Sequence, residues 1–142
     1  MDREVQGKSS PINRIKRVSN YKEQKLAKIY SAFFVQKDEG HCTWEFAPGA
    51  CTLPFWAEEG SNIDLVKVGV YLDNDVVCDI VEIRLDNETI KTQKSGTLLH
   101  ITTFCKKGVS PVQSGLRATK NGFTPVAEEV IPATAGFFEV ED

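Results

Sequence analysis

Short apolar stretches separated by turn residues make up most of the chain after Gly40. Residues 41–47 alternate between apolar and polar side chains, which is the period of a β-strand with one buried face. The alternation places Cys42, Trp44 and Phe46 together on the buried side. Residues 41–47 are therefore predicted to form a strand.

The clearest pair of strands lies at residues 65–72 and 76–85. Both runs are rich in β-branched residues, and the polar sequence Asp-Asn-Asp at 73–75 is typical of a short hairpin loop. In the second run, Val81 and Ile83 fall on the same face. The pattern predicts a hairpin that belongs to the core sheet, with these two side chains buried.

Further β-prone pieces occur at 51–56, 89–93, 97–105, 116–119, 123–126 and 135–140. Pro54 confines the first of them to an edge or a bend. The dipeptide Asn121-Gly122 is a strong hairpin signal between 116–119 and 123–126. Seven to nine short strands at this spacing favour a β-sandwich, a jelly roll or a small barrel.

Two interpretations compete for residues 20–36. Asn20 can cap a helix, and Glu23 three positions later fits the pattern of a capping box. The apolar residues that follow at helical spacing are Leu26, Ile29, Tyr30 and Phe33. The alternative is a first strand over 29–35, which is aromatic and β-branched. We favour a helix over about 20–30 that leads into a strand over 31–36.

The length of 142 residues and the hydrophobic content of 41% fit one globular domain. Residues 1–18 have no apolar period and are predicted to be a flexible basic arm. Residues 19–142 are predicted to be a single β-rich domain, an antiparallel β-sandwich or jelly-roll-like body with a short N-terminal helix. Because residues 1–10 lack the apolar segment of a signal peptide and no run is long enough to cross a bilayer, we expect a cytoplasmic protein.

Charge is sorted by position along the chain. Residues 1–37 carry nine Lys or Arg and three acids, a net charge of +6, whereas the remaining residues carry a net charge of −9. This asymmetry indicates interaction with a polyanion or with the acidic face of another copy, since spaced cations neutralise successive phosphates. The predicted anion-binding residues are Arg14, Lys16, Arg17, Lys22, Lys25 and Lys28. The alternative is a solvated basic segment without a ligand.

The four cysteines are Cys42, Cys51, Cys78 and Cys105. Their separations do not provide the closely spaced pair that wraps a zinc ion in fingers and ribbons. Because free cysteine is among the most buried residue types, these thiols are predicted to be buried and reduced, in strands. The alternative is a site that the fold assembles from cysteines with His41 or His100.

The chain contains no motif of a known nucleophile, phosphate loop, dinucleotide site or zinc protease. An EF-hand loop that began at Asp73 would need a glycine at position 78 and an acid at position 84, where this chain has Cys78 and Arg84. Turn chemistry explains the acids around 73–88 instead. No catalytic residue, metal site or cofactor is predicted.

Two aromatic pairs, Trp44 with Phe46 and Phe55 with Trp56, stand on either side of a Pro-Gly turn. The main interpretation is that they form the core of the domain. The alternative is that Phe55 and Trp56 are exposed and anchor a protein partner. These two residues are the predicted partner-binding site.

A short basic arm before a compact all-β body resembles, in its layout, the small jelly-roll coat proteins and other assembly proteins of small viruses. The resemblance implies an arm that faces the genome and a body that tiles a shell. We therefore expect a non-enzymatic structural protein of a virus, coat-like or matrix-like, that forms homo-oligomers and contacts RNA, DNA or an anionic membrane through the arm. The alternative is a host-directed or regulatory interaction module that binds a protein through an aromatic patch or a sheet edge.

Overall fold

The computed structural model describes residues 15–18, 28–46 and 51–140, and these are mainly β. The strands are β1 (Ile15–Val18), β2 (Lys28–Val35), β3 (His41–Phe46), β4 (Asn62–Leu72), β5 (Val76–Arg84), β6 (Thr89–Ile90), β7 (His100–Cys105) and β8 (Thr124–Val140), and the helix is α1 (Val112–Asn121). The strands pair antiparallel throughout the described ladders. The prediction of a mainly β, antiparallel fold is confirmed.

The sheet closes on itself through its longest strand. Seven strands follow one another in the order β1-β8-β2-β3-β7-β5-β4, β6 pairs with β5, and β4 pairs back onto β8. The 17 residues of β8 make this closure possible, because its first part pairs with β4 and its last part with β2. The described pairings thus form one closed sheet, and they do not establish the two packed sheets of a β-sandwich or jelly roll.

The interior of the closed sheet holds the largest apolar cluster. Its buried members are Phe33, Cys42, Ala57, Leu65, Val81, Ile83, Leu99, Ile101, Ala133 and Ala135. Six strands close the sheet: β2, β3, β4, β5, β7 and β8. Each contributes at least one buried residue to this cluster, because alternate residues of a strand point to the same side. Phe33 stacks on Trp56, with ring centroids 6.0 Å apart.

The predicted hairpin is present as β4 and β5, with Leu72 paired to Val77. Its loop is held by Asp73, whose Oδ1 accepts hydrogen bonds from the backbone N–H groups of Asp75 (2.8 Å) and Val76 (3.0 Å). Arg117 of α1 donates to both loop carboxylates, at 3.1 and 3.0 Å. The hydrogen bond from the Tyr71 hydroxyl, followed by the backbone bonds and Arg117, holds the pKa of Asp73 well below its usual range. Asp73 and Asp75 therefore stabilise the hairpin turn.

The predicted helix over 20–30 is wrong at residues 28–30, which belong to strand β2; the remainder of that prediction lies outside the described residues. Both faces of β2 are covered: Ile29 and Phe33 pack inwards, while Ala32 and Phe34 pack against Phe138 on the outer side. A strand buried on both faces has apolar residues at nearly every position. Over a short stretch, such a run also contains apolar residues at helical spacing, which explains why a helix was predicted at residues 28–30.

The predicted strand at 116–119 and the hairpin at Asn121-Gly122 are also wrong. Residues 112–121 form α1, and the N–H of Gly122 donates to the carbonyl of Ala118 at 2.8 Å. Gly122 has φ of 87°, a left-handed conformation that favours glycine just after a helix. The same dipeptide that opens many hairpins ends a helix here.

Four residues of the predicted flexible arm lie in a strand. Ile15–Val18 pair with β8 from Val140 to Phe137. The backbone of Lys16 and Arg17 is thus part of the sheet, and the rest of the predicted arm lies outside the described residues.

The cysteine prediction is confirmed for burial and for the free thiol state. All four are buried and free, although Cys51 lies in a loop and the other three lie in strands. Burial raises the pKa of the Cys42 and Cys78 thiols to about 12 and that of Cys51 to about 11, so the reactive thiolate is disfavoured. Separately, the part of the chain that the structure describes has no helix of the length and apolarity needed to span a membrane.

Candidate functional site

Three aromatic rings form a continuous row on the outer face of the closed sheet. Tyr30 of β2 stacks on Phe138 of β8 with centroids 4.7 Å apart and planes 5° apart, and it contacts Phe46 of β3 at 4.4 Å. The register places them together, because Tyr30 pairs with both Phe46 and Phe138. Phe46, Tyr30 and Phe138 are called the aromatic row below.

A β-bulge is what brings Phe46 into the row. Ser31 pairs with Glu45 and Ala32 pairs with Thr43, so Trp44 is an extra residue in β3. An extra residue shifts the alternation of the strand beyond it. Trp44 packs inwards on Phe33, whereas Phe46 stands outside and is 44% exposed. The prediction that Cys42, Trp44 and Phe46 share one buried face is therefore wrong for Phe46.

His41 lies beside the row, with its ring at 60° to Phe138 and 4.8 Å from it. Its Nδ1 is buried and accepts or donates no hydrogen bond within the described residues. Burial, together with the neighbouring His100, lowers the pKa of His41 to about 4. The imidazole is therefore neutral at pH 7.

His100 of β7 lies under α1. Its Nδ1 donates to the carbonyl of Leu98 at 2.7 Å, which leaves Nε2 with the free lone pair of the neutral ring. Burial lowers the pKa of His100, and the carbonyl bond offsets part of that effect. The helix comes so close at Gly115 that an added Cβ would lie 2.6 Å from Nδ1 and 2.7 Å from Nε2 of His100. The ring is thus fixed between a carbonyl and the backbone of the helix.

Two hydroxyl contacts hold α1 in this position. Thr102 and Ser114 hydroxyls share a hydrogen bond of 2.8 Å, and the Thr119 hydroxyl accepts from the N–H of Leu98 at 2.9 Å. The helix buries its small residues Ser114, Gly115 and Ala118 against the sheet. This close approach leaves the larger residues Val112 and Leu116 beside the outer face of β3 and β7.

A cleft of about 690 Å³ opens between α1 and the outer face of β2, β3 and β7. Its lining includes the aromatic row, both histidines, Val112 and Leu116, with the hydroxyls of Thr43 and Thr102. Lys94 and Glu45 also contribute to the lining, 3.2 Å apart as an ion pair. The volume and the largely apolar lining with a few polar groups are those of a small-ligand site.

A second cavity, of about 350 Å³, is lined by residues that include Lys67, Asp79 and Glu129. Lys67 lies 3.4 Å from Asp79. Burial raises the pKa of Asp79, and Lys67 counteracts part of this rise. This cavity is smaller than the cleft, and Lys67 and Asp79 in its lining form an ion pair.

The predicted basic residues are only partly described. Arg14, Lys22 and Lys25 lie outside the described residues. Lys16 and Arg17 lie on β1, paired with Glu139 and Phe138, and Lys28 begins β2 opposite Val140. Arg17 is therefore in register with the aromatic row, one strand beyond Phe138. The aromatic row was not predicted from the sequence, because the proximity of its three rings depends on the register between β2, β3 and β8.

The predicted partner-binding pair is divided between surface and core. Phe55 is 94% exposed, whereas Trp56 packs against Phe33 and Trp44. The loop that carries them is anchored by Thr52, whose N–H donates to the Glu45 carboxylate at 2.9 Å. Phe55 therefore projects from a fixed loop.

The described residues contain no group of three or more His, Cys, Asp or Glu side chains arranged to hold a metal ion. No protein-family model matches the sequence, and no curated protein matches it significantly. Chemistry at the cleft must therefore be judged from its own residues, which are stacking surfaces, two neutral imidazoles, hydroxyls and the Lys94–Glu45 ion pair.

Proposed function

We propose that the protein is a non-enzymatic nucleic-acid-binding protein that uses the aromatic row together with the basic N-terminal segment, residues 1–37. The register of Arg17 with Phe138, and through it with Tyr30 and Phe46, carries the proposal. Proteins that bind single strands combine cations, which follow the phosphates, with aromatic rings on which bases stack. Both elements occur here on adjacent strands.

The exposure of the rings indicates where a base would stack. Phe138 is only 1% exposed and supports Tyr30 from below, whereas Phe46 is 44% exposed at the other end of the row. Phe46 thus offers a stacking surface at the edge of the cleft. Stacking tolerates any base, so we expect weak sequence preference.

Fluorescence anisotropy with a labelled single-stranded RNA tests this proposal. Engagement of four to six phosphates should give a slope of roughly −3 to −4 for log affinity against log salt. Replacing Lys16 and Arg17 by glutamine should reduce the slope by about 1.4, because two cations are lost. Phe46→Ala should weaken binding by about 5- to 150-fold at an unchanged slope, since one stacked base contributes about 1–3 kcal/mol.

Matched controls separate these effects from general damage. Lys106→Gln with Lys107→Gln removes two exposed cations beyond the far end of β7, and Phe123→Ala removes a similarly exposed ring that covers Gly69. Neither control should change RNA affinity by more than about twofold. Absence of RNA binding at 50 mM salt would refute the proposal.

A second proposal concerns assembly, and the exposure of Phe55 favours it. An aromatic side chain presented by a fixed loop loses little entropy on binding and suits the centre of an interface. We propose that a second copy of the chain covers Phe55. The acidic body and the basic N-terminal segment give two copies complementary charges for this association.

Size-exclusion chromatography with light scattering tests the assembly proposal. The intact protein should have a mass above the 15.8 kDa of one chain, and Phe55→Ser should shift it towards that mass. Replacing exposed Leu72 by serine is the control and should leave the mass distribution unchanged. A monomer of the intact protein at all salt concentrations would contradict the proposal.

A further inference from the structure

The cleft has a neutral floor, and its lining also contains one ion pair. Burial keeps His41 and His100 uncharged at pH 7, and Thr43 and Thr102 add neutral hydroxyls. The exception is the ion pair of Lys94 and Glu45, 3.2 Å apart, in which 56% of the Lys94 side chain and 16% of the Glu45 side chain are exposed. A charged group would lose its hydration on the floor without gaining a counter-charge, so the floor suits a neutral ring with polar edges.

The walls of the cleft suit a planar ring. Phe46 and Tyr30 form one side, while Val112 and Leu116 of α1 form the other. A flat heterocycle between such walls gains aromatic stacking on one face and apolar contact on the other. His41 lines the cleft, and its buried Nδ1 has no hydrogen-bond partner among the described residues, so the polar edge of a bound ring could supply one.

We infer that the cleft holds one nucleobase of a nucleotide, with the base between Phe46 and Leu116 and the phosphate near Lys94. The inference rests on the proposed nucleic-acid binding and assigns a defined pocket to one unstacked base. It differs from stacking along an open surface, because the helix wall limits the site to a single base. Free nucleotides should therefore bind without the rest of the strand.

Isothermal titration calorimetry of the full chain with the four ribonucleoside monophosphates and the corresponding nucleosides tests the inference. At least one nucleotide should bind at one per chain. Leu116→Trp should reduce nucleotide affinity at least tenfold, because Leu116 is 45% exposed and a larger ring at this position fills the cleft. His41→Phe keeps the ring contact with Phe138, removes both nitrogens and should weaken binding at least fivefold.

Two further comparisons locate the base and the phosphate. Lys94→Gln should weaken the binding of nucleotides and leave the affinity for nucleosides unchanged. Lys91→Gln, at a nearby exposed lysine, should change neither affinity. If inorganic phosphate displaces nucleotides and Leu116→Trp has no effect, the base does not occupy the cleft and the inference is wrong.

The outcomes also separate this inference from the proposed function. RNA binding with the expected salt slope, but no nucleotide or nucleoside binding, would overturn the cleft assignment and leave the proposed function standing. Nucleotide binding without RNA binding would support the cleft as a site for free nucleotides and would overturn the proposed function. Loss of both would overturn both.

Discussion

Replacing Val81 by aspartate should leave the protein without a folded body. Val81 is 1% exposed in the interior of the closed sheet, among the side chains of the largest apolar cluster. An ionised carboxylate at this position has no basic partner in that cluster, and burying an unpaired charge costs several kcal/mol. This cost is similar to the whole stability of a domain of this size, about 5–15 kcal/mol.

Urea denaturation followed by circular dichroism measures the effect, together with two companion variants. Val81→Thr nearly keeps the shape and buries a hydroxyl, so we expect a loss of about 1–3 kcal/mol. Asp75→Ala in the hairpin loop should cost less than about 1 kcal/mol, because Arg117 keeps its bond to Asp73 and partly exposed ion pairs contribute little. A Val81→Asp protein as stable as the parent would show that this face of β5 is exposed.

The β4–β5 hairpin was predictable because its information is local. Two β-branched runs and a polar loop of defined length specify the turn, and the alternation within β5 specifies that Val81 and Ile83 share a face. The structure places both in the interior cluster and places Cys78 and Ile80 in a separate cluster with Ala118 of α1. The local sequence pattern therefore predicted β4 and β5 and which residues of β5 share a face. It did not predict that α1 packs on the outer face of β5.

Helix α1 was not predictable in the same way, because its buried face carries no large apolar residues. It packs through Ser114, Gly115 and Ala118, so its buried face lacks the large apolar residues that usually mark a packed helix in the sequence. The β-prone residues near its end, with Asn121-Gly122, then suggested a hairpin. A face of small residues three or four apart is the signal that could have indicated a closely packed helix.

The aromatic row required long-range information. Tyr30 and Phe138 are far apart in the sequence, and only the β2–β8 register brings them to 4.7 Å. The position of Phe46 depends in addition on the bulge at Trp44, which simple alternation does not contain. The basic residues were visible in the sequence as charge, but the pairing of Arg17 with Phe138 depends on where β1 joins the sheet.

Replacing Gly115 by alanine should destabilise the protein by about 2–3 kcal/mol, the upper part of the range for overpacking. In an exposed helix the same change would stabilise by up to about 1 kcal/mol, because alanine is the better helix former. Here the new Cβ would lie 2.6 Å from Nδ1 of His100, whereas Cβ contacts below 3.0 Å are essentially never found. The ring cannot move aside without breaking its hydrogen bond to Leu98. The helix must therefore shift away from the sheet and lose its contacts through Ser114 and Thr119.

Thermal and urea denaturation of a double-mutant cycle decide whether the clash is the cause. His100→Ala removes the ring, so Gly115→Ala should cost at least about 1 kcal/mol less in that background than in the parent. Lys120→Ala, at an exposed position of the same helix, should stay within about 0.5 kcal/mol of the parent. If Gly115→Ala instead raises stability as it would in an unpacked helix, α1 does not rest on His100. In that case the wall of the cleft that α1 provides, and the nucleobase site built against it, would have to be abandoned.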